Sequence, residues 1–264
     1  MKNESADSHL TNWGILSSIF AGEYLKDTFF NDVKFNYTYC SPLIRTWETA
    51  ACMFSDKYNT FTVAPYLSEV RKDEKKPFQY ETNIKRFEEF VNYVSSTSDN
   101  SMKYLIQNLN RDNIINKQIE SIKKFKISCT NNFSKIHLEK TVGNLENFID
   151  WFIKNNSVKN KKINVVVICH NNLMMNFLEK HYRYAYYKHN ILETNNFSFK
   201  VTVKKNIIGH PVIFFLGIKN PIGNEDNIDV NCSLCVKNRK CLNKNSDKNI
   251  HMKLIKNSEQ YFFN

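Results

Sequence analysis

Four consecutive β-branched residues, Val165 to Ile168, constrain the fold of this chain more than any other feature. A strand whose successive side chains are all apolar is typically buried on both faces, as in parallel sheets that helices cover on either side. A polar turn containing His170 follows, and helical spacing resumes from Leu173 to His181. The pattern therefore predicts an α/β protein in which His170 lies just past the carboxyl end of a central strand, where open α/β sheets bind ligands. The alternative is a structural histidine without a ligand.

A second strand–turn–helix pattern spans residues 35–54. Residues 35–39 alternate between aromatic and polar, which predicts a strand. Ser41 is a good helix N-cap, Pro42 suits the first helical position, and Arg45 then falls in the first turn of the helix. A helix N-terminus presents unpaired N–H groups and a positive dipole end, so a guanidinium there predicts a phosphate site. The alternative is that Arg45 is a solvated helix residue.

Residues 41–50, Ser-Pro-Leu-Ile-Arg-Thr-Trp-Glu-Thr-Ala, resemble a signature of the histidine phosphatase superfamily, the phosphoglycerate mutase-like proteins. That signature is Ser-Pro-Leu-x-Arg-Thr-x-x-Thr-Ala, and in the family its arginine binds the phosphoryl group, a role that the resemblance gives to Arg45. Together with the two strand–turn–helix patterns, it predicts a three-layer α/β sandwich with a mostly parallel central sheet flanked by helices. A helical insertion is expected as well.

Two further segments are similar to the family and imply site residues. Leu67-Ser68-Glu69 resembles the Leu-x-Glu that carries the family's acidic residue, and a carboxylic acid there can protonate a leaving oxygen. The alternative for Glu69 is a surface carboxylate paired with nearby basic side chains. The turn at His170 resembles Val-x-Ser-His-Gly-Gly, whose histidine contacts the phosphoryl group, with Asn171 and Asn172 in place of the glycines. The resemblance thus implies catalytic roles for Glu69 and His170 and phosphate binding by Arg45 and His170.

The opening of the chain resembles the family only in part. Asp-x-x-Leu-Thr-x-x-Gly at residues 7–14, followed by a helix capped by Thr11 and running to about Lys26, is similar to it. The family's preceding strand ends in Arg-His-Gly, whose histidine is phosphorylated during catalysis, and neither Arg nor His precedes Asp7. We interpret His9 as a partly exposed residue beside the helix. Two interpretations stay open: a phosphatase or phosphomutase whose nucleophile lies upstream of the recorded start, which we favour, and a non-catalytic pseudoenzyme that binds a phosphorylated ligand.

The resemblance and the local composition predict two parts in the chain. Residues 1–220 form the phosphoglycerate mutase-like domain, with an insertion at about 72–140, and residues 221–264 form a basic, cysteine-containing tail. Within the insertion we predict helices near 82–94, 102–110 and 114–125. In the family an insertion at this place covers the site and selects the substrate; the alternative is a disordered insert.

Charge and cysteine content bear on partners and location. The net charge of +11 suits an acidic ligand, so we expect a phosphorylated small molecule or phosphoprotein as partner. Nucleic-acid binding through the basic tail is a third hypothesis and ranks last. No apolar run is long enough to span a membrane, the N-terminus has no secretory signal, and seven cysteines without framework spacing indicate reduced thiols and a cytoplasmic location.

Four tail residues are weak candidates for a zinc site, namely Cys232, Cys235, Cys241 and His251. A single Cys-x-x-Cys with irregular partners is poor evidence of ligation, so we interpret these cysteines as free thiols and expect neither a metal nor another cofactor.

Overall fold

The computed structural model of this chain describes residues 7–28, 30–69, 80–96, 112–129, 142–156 and 162–182, and the short pieces 194–195, 198–204, 207–208, 212–215 and 218–219. The helices in this part of the chain are α1 (Asn12–Thr28), α2 (Ile44–Phe54), α3 (Tyr80–Ser95), α4 (Asp112–Ile122), α5 (Leu145–Asn155) and α6 (Asn171–Tyr182). The strands are β1 (Tyr37–Cys40), β2 (Thr60–Val63), β3 (Lys126–Cys129), β4 (Val165–Ile168), β5 (Thr194–Asn195), β6 (Ser198–Lys200), β7 (Val203–Lys204), β8 (Ile207–Ile208), β9 (Val212–Phe215) and β10 (Ile218–Lys219).

The first four strands form one parallel sheet in the order β3-β2-β1-β4. In the register of this sheet, Cys40 at the end of β1 pairs with Val63 of β2 and with Ile168 of β4. The carboxyl ends of these three strands therefore lie side by side, and the loops that follow them leave from the same edge. The predicted α/β class with a parallel sheet between helices is confirmed.

Alternate side chains of the strands enter two different apolar cores, as the period-two geometry of a strand requires. One face packs on α1, α2, α3 and α4, and its strand residues are Cys40, Phe61, Val63, Ile127, Cys129, Val166 and Ile168. The other face packs on α5 and α6 and carries Tyr37, Tyr39, Val165 and Val167. Helices thus cover both faces of the sheet, which makes the three layers predicted for this fold.

Helix α2 lies at the centre of the first core. Trp47, Ala50 and Ala51 are fully buried, whereas Arg45 keeps part of its surface exposed. Helix α1 crosses α2 closely at Gly22, where an added Cβ would lie 2.5 Å from the carbonyl oxygen of Met53. The position of Arg45 is therefore fixed by a helix that the core holds tightly on its other sides.

The structure corrects two details of the strand–turn–helix predictions. Helix α2 has Leu43 as its N-cap, so Ser41 and Pro42 precede the helix instead of starting it. Strand β4 stands at the end of the four-strand order and is half-buried, although a central strand buried on both faces was predicted. The β-branched run correctly predicted that helices cover both faces of β4. Such a run does not predict how many strands lie beside it in the sheet.

The insertion and the late strands show a mixed outcome. Helices α3 and α4 confirm two of the predicted insertion helices, and the third, near 102–110, lies outside the described residues. Strand β3 was not predicted, and it extends the sheet by pairing in parallel with β2. The alternation of residues 195–203 predicts one continuous strand, and this prediction is wrong, because β6 and β7 are separate strands with a break at residues 201–202. The sequence also predicts a strand at 211–217, and β9 lies there, paired antiparallel with β6 outside the parallel sheet.

The two ends of the chain add little to this architecture. Thr11 caps α1 as predicted, because its hydroxyl oxygen accepts a hydrogen bond from the backbone N–H of Gly14 at 3.1 Å. The basic tail at 221–264 lies outside the described residues. Within the described part of the chain, no helix combines the length and the apolar character needed to cross a bilayer.

Candidate functional site

Three side chains singled out from the sequence meet at the carboxyl edge of the sheet. A guanidinium nitrogen of Arg45 lies 3.2 Å from Oε2 of Glu69, and Nδ1 of His170 lies 3.6 Å from that same oxygen. The side chains of Glu69 and His170 are 8% and 3% exposed. Arg45 follows β1, Glu69 follows β2 and His170 follows β4, so the parallel register brings together residues that are far apart in sequence.

A buried hydroxyl holds the other side of the His170 ring. Oγ of Ser41 lies 2.7 Å from Nε2 of His170 and also accepts a hydrogen bond from the N–H of Leu43 at 3.2 Å. The hydroxyl can donate to Nε2 while its oxygen accepts from Leu43, and in that arrangement the ring proton sits on Nδ1, toward Glu69. Ser41 thus orients the imidazole instead of capping α2.

The loop that carries Glu69 is held by unusual backbone. Tyr66 has a φ of 64°, in the left-handed region that non-glycine residues seldom adopt. Its carbonyl oxygen accepts a hydrogen bond from the N–H of Asn144 at 2.8 Å. Next to it, a Cβ added at Gly143 would overlap the carbonyl oxygen of Ser68, so this position has room for glycine alone. Strained backbone of this kind clusters at functional sites, and here it places Glu69 beside Arg45 and His170.

One oxygen of Glu69 is left unsatisfied within this arrangement. Oε1 is buried and accepts no hydrogen bond from any described residue, while Oε2 faces Arg45 and His170. A buried carboxylate oxygen without a donor costs free energy, of the order of 1–3 kcal/mol. Such a group is suited to meet a donor that a ligand brings, or to carry a proton that it later gives up.

A second carboxylate, which sequence reasoning did not single out as a site residue, also lies against Arg45. Oδ1 of Asp7 accepts a hydrogen bond from the N–H of Ile44 at 2.9 Å and lies 3.9 Å from the Arg45 guanidinium. Its Oδ2 accepts from Nδ2 of Asn83 at 2.8 Å and lies 3.5 Å from the Arg86 guanidinium. Burial raises the pKa of the Asp7 carboxyl, against the lowering effect of these hydrogen bonds and charges.

No local sequence signal points to this group of contacts. Asn83 and Arg86 come from α3, within the insertion, and they lie 76 and 79 positions along the chain from Asp7. Only the packing of α3 against α2 shows that the insertion reaches the site. We call the four groups that surround the Asp7 carboxylate, the Ile44 N–H and the side chains of Arg45, Asn83 and Arg86, the Asp7 cradle.

The remaining described histidines and thiols serve other contacts. Nδ1 of His9 bonds to Oε1 of Glu48, and Nε2 of His181 bonds to Glu146 at 2.7 Å. His9 is therefore a partly exposed residue beside α1, as expected. Burial raises the pKa of the Cys169 thiol to about 12, so this neighbour of His170 stays protonated and is not a nucleophile at neutral pH.

The described residues offer no group of three or more histidine, cysteine or carboxylate side chains arranged to hold a metal ion. The weak zinc candidates, Cys232, Cys235, Cys241 and His251, lie in the tail outside the described residues.

The comparisons with known proteins do not assign a family. No protein-family model, no curated protein and no solved structure matches this chain. The resemblance to the histidine phosphatase superfamily thus rests on the sequence motifs and on the geometry described above.

Proposed function

We propose that this chain binds a phosphorylated ligand at the carboxyl edge of its sheet, at a site of the kind that a phosphatase or phosphomutase of the histidine phosphatase type uses. The histidine that such an enzyme phosphorylates is not among the described residues beside Arg45, so turnover would require a nucleophile from outside the residues that the structure describes. The phosphoryl group would be held between Arg45 and His170, with Glu69 as the acid. The ligand class is a phosphorylated small molecule or a phosphoprotein, which agrees with the net charge of +11.

One observation carries the proposal: Arg45 and His170, from two different strand ends, both face one oxygen of Glu69. An anion in that space would meet a guanidinium and an imidazole at once, close to the N-terminus of α2. In its protonated form the Glu69 carboxyl could donate to a leaving oxygen, because a proton neutralises the charge that develops there. The three residues follow β1, β2 and β4 in the order in which the family resemblance implies binding and acid groups, and this order supports the proposal.

Non-catalytic phosphate binding is a second candidate, and one observation favours it. Among the described histidines, His9 bonds to Glu48 and His181 bonds to Glu146, so neither is placed as a nucleophile beside Arg45. His170 has Ser41 on one ring nitrogen and Glu69 near the other. A binder without covalent chemistry would use the same phosphate contacts and lack turnover.

The test is a titration of the full chain with inorganic phosphate, together with an assay of aryl phosphate hydrolysis. We expect His170→Ala and Arg45→Lys each to weaken phosphate binding by about tenfold to a hundredfold, because each removes a charge-assisted or buried hydrogen bond. His181→Ala is the matched control, since it removes a histidine from the other end of α6 and should leave affinity unchanged.

The outcomes separate the candidates. Hydrolysis that His170→Ala abolishes supports the enzyme, whereas phosphate binding that depends on His170 without hydrolysis supports the binder. Phosphate binding that is equally strong in all variants, or absent from the wild-type chain, contradicts both.

A further inference from the structure

The carboxylate of Asp7 occupies surroundings that resemble an anion-binding site more than an ordinary helix cap. A capping carboxylate needs only the backbone N–H groups of its helix, and Asp7 has one of these in Ile44. The Asp7 cradle adds the amide of Asn83 and two guanidinium groups, those of Arg45 and Arg86. A helix N-terminus with two arginines and an amide donor is the set of groups that phosphate oxygens bind.

The charges around Arg45 explain why this matters for a ligand. Arg45 and Arg86 are balanced by Asp7 and Glu69, so the site is formally neutral before any ligand enters. A phosphate that binds Arg45 while both carboxylates stay in place meets two like charges in a partly buried space, where repulsion is strong. Glu69 is the acid of the proposed function and carries a proton in that role, which leaves Asp7 as the carboxylate whose charge opposes the phosphate.

Asp7 is the better suited of the two to leave. The backbone that carries Glu69 is held by the positive φ of Tyr66 and by the close approach of Gly143 to Ser68, whereas the Asp7 carboxylate can leave by rotation of its side chain while Arg86 keeps its hydrogen bond to the Asp7 backbone carbonyl. Burial also raises the pKa of Asp7, which shows that its charged form is only partly compensated by the cradle.

We propose that the Asp7 cradle is an anion subsite that Asp7 fills as an internal competitor, and that a phosphoryl oxygen of the ligand replaces Oδ1 of Asp7 at the Ile44 N–H and Arg45. This inference rests on the proposed phosphate site, with which it shares Arg45. It assigns Asn83 and Arg86, both from the insertion, to ligand binding, and it makes the segment before α1 a tethered inhibitor of that binding.

The test is the affinity of the full chain for inorganic phosphate with and without the Asp7 charge. Asp7→Asn keeps an oxygen that can accept from Ile44 and removes the negative charge. We expect it to raise phosphate affinity by about tenfold, the size of one charged contact. Asp150→Asn is the matched control, because it makes the same charge change at an exposed position on α5 and should leave the affinity unchanged.

A purely structural role of Asp7 predicts a different result. If Asp7 only caps α2, Asp7→Asn lowers the thermal unfolding temperature and leaves phosphate affinity unchanged or weaker, and that result overturns the inference.

A measurement on the wild-type chain does not depend on how well the variant folds. On addition of inorganic phosphate, the NMR signal of the Asp7 carboxyl carbon should move to the position of a solvent-exposed aspartate, because its Oδ1 loses the Ile44 N–H, while Glu48 keeps the Leu10 amide in place. An unchanged Asp7 signal at saturating phosphate would contradict the proposal.

The two proposals fail in different ways. If wild-type binding depends on His170 but Asp7→Asn does not strengthen it, only the internal competitor is excluded. If Asp7→Asn strengthens phosphate binding and His170→Ala does not weaken it, the Asp7 cradle is an anion subsite and the proposed role of His170 in binding is excluded. If neither the wild-type chain nor Asp7→Asn binds phosphate, both fall.

Discussion

Two buried glutamates, Glu48 and Glu69, show what separates a structural carboxylate from one placed for chemistry. Glu48 lies in α2 and is fully buried, and both of its oxygens have partners: His9 on Oε1 and the N–H of Leu10 on Oε2. Glu69 is buried almost as deeply, yet its Oε1 has no donor among the described residues. Both oxygens of Glu48 thus have hydrogen-bond partners among the described residues, whereas one oxygen of Glu69 has none.

The difference lies in what each carboxylate connects. Glu48 ties the segment before α1 to the middle of α2, so its hydrogen bonds are used to hold two parts of the fold together. Glu69 shares one oxygen between Arg45 and His170 and leaves the other open, at the edge where three strands end. Of the two glutamates, only Glu69 has an oxygen that could accept a hydrogen bond from a ligand without first losing a bond within the described part of the protein.

The largest expected effect is on turnover, from Glu69→Gln. Loss of the acid should lower phosphate ester hydrolysis by about a hundredfold or more, and more for an alkyl than for an aryl phosphate, because a poor leaving group depends more on protonation. The free energy of unfolding should fall less than for Glu48→Gln, because the glutamine oxygen can still accept from Arg45 and Oε1 has no donor to lose among the described residues. Hydrolysis kinetics and urea unfolding measure the two effects.

Glu48→Gln is the opposite case and the control. While His9 is protonated, its Nδ1–H and the Leu10 N–H both need an acceptor and an amide offers only one, so below the raised pKa of His9 the substitution should cost about 2 kcal/mol in the free energy of unfolding. Phosphate affinity should not change. If Glu69→Gln proved the more destabilising of the two, the contrast between the carboxylates would be wrong.

A smaller effect, about 2 kcal/mol in stability, is expected from Gly143→Ala, because the new Cβ overlaps the Ser68 carbonyl and overpacking carries a cost of this size. The shift of Ser68 should also move Glu69 and weaken phosphate binding. Gly22→Ala is the comparison: its Cβ would meet the backbone of Met53, about two turns along α2 from Arg45, so it should lower stability similarly and weaken phosphate binding less. Equal phosphate affinities in the two variants would show that Gly143 does not position the site.

The smallest expected effect is the pH dependence of the Glu48 contact. The hydrogen bond with Glu48 raises the pKa of His9 above its ordinary value of 6.5. Charged His9 therefore stabilises the folded chain below that value, and the contribution is lost as the pH rises through the raised pKa. His9→Gln should lower the free energy of unfolding by about 1 kcal/mol at pH near 6, because solvent screens the half-exposed ring, and by less at pH near 9. Urea unfolding at both pH values checks this; an equal loss at both would exclude a charged pair.

Much of the fold could be predicted from local patterns. The β-branched run at 165–168 and the alternation at 35–39 correspond to β4 and β1, and Thr11 caps α1. Periodicity alone did not give the short strands correctly: β3 alternates between polar and apolar residues over only four positions and was not predicted, and the alternating segment at 195–203 is interrupted at residues 201–202. The position of β4 in the strand order could not be predicted either, because the side-chain pattern indicates which faces of a strand are buried and not which strands lie beside it.

By itself, the sequence determined which elements form and which residue types stand at the strand ends, because hydrophobic period, turn residues and cap residues act over a few positions along the chain. Only the tertiary structure decided that Arg45 and His170 face the same oxygen of Glu69, and that Asp7 lies against Arg45 and Arg86. These contacts join residues between 24 and 101 positions apart in the chain. They depend on the parallel register of β1, β2 and β4 and on the packing of α3, which no local pattern encodes.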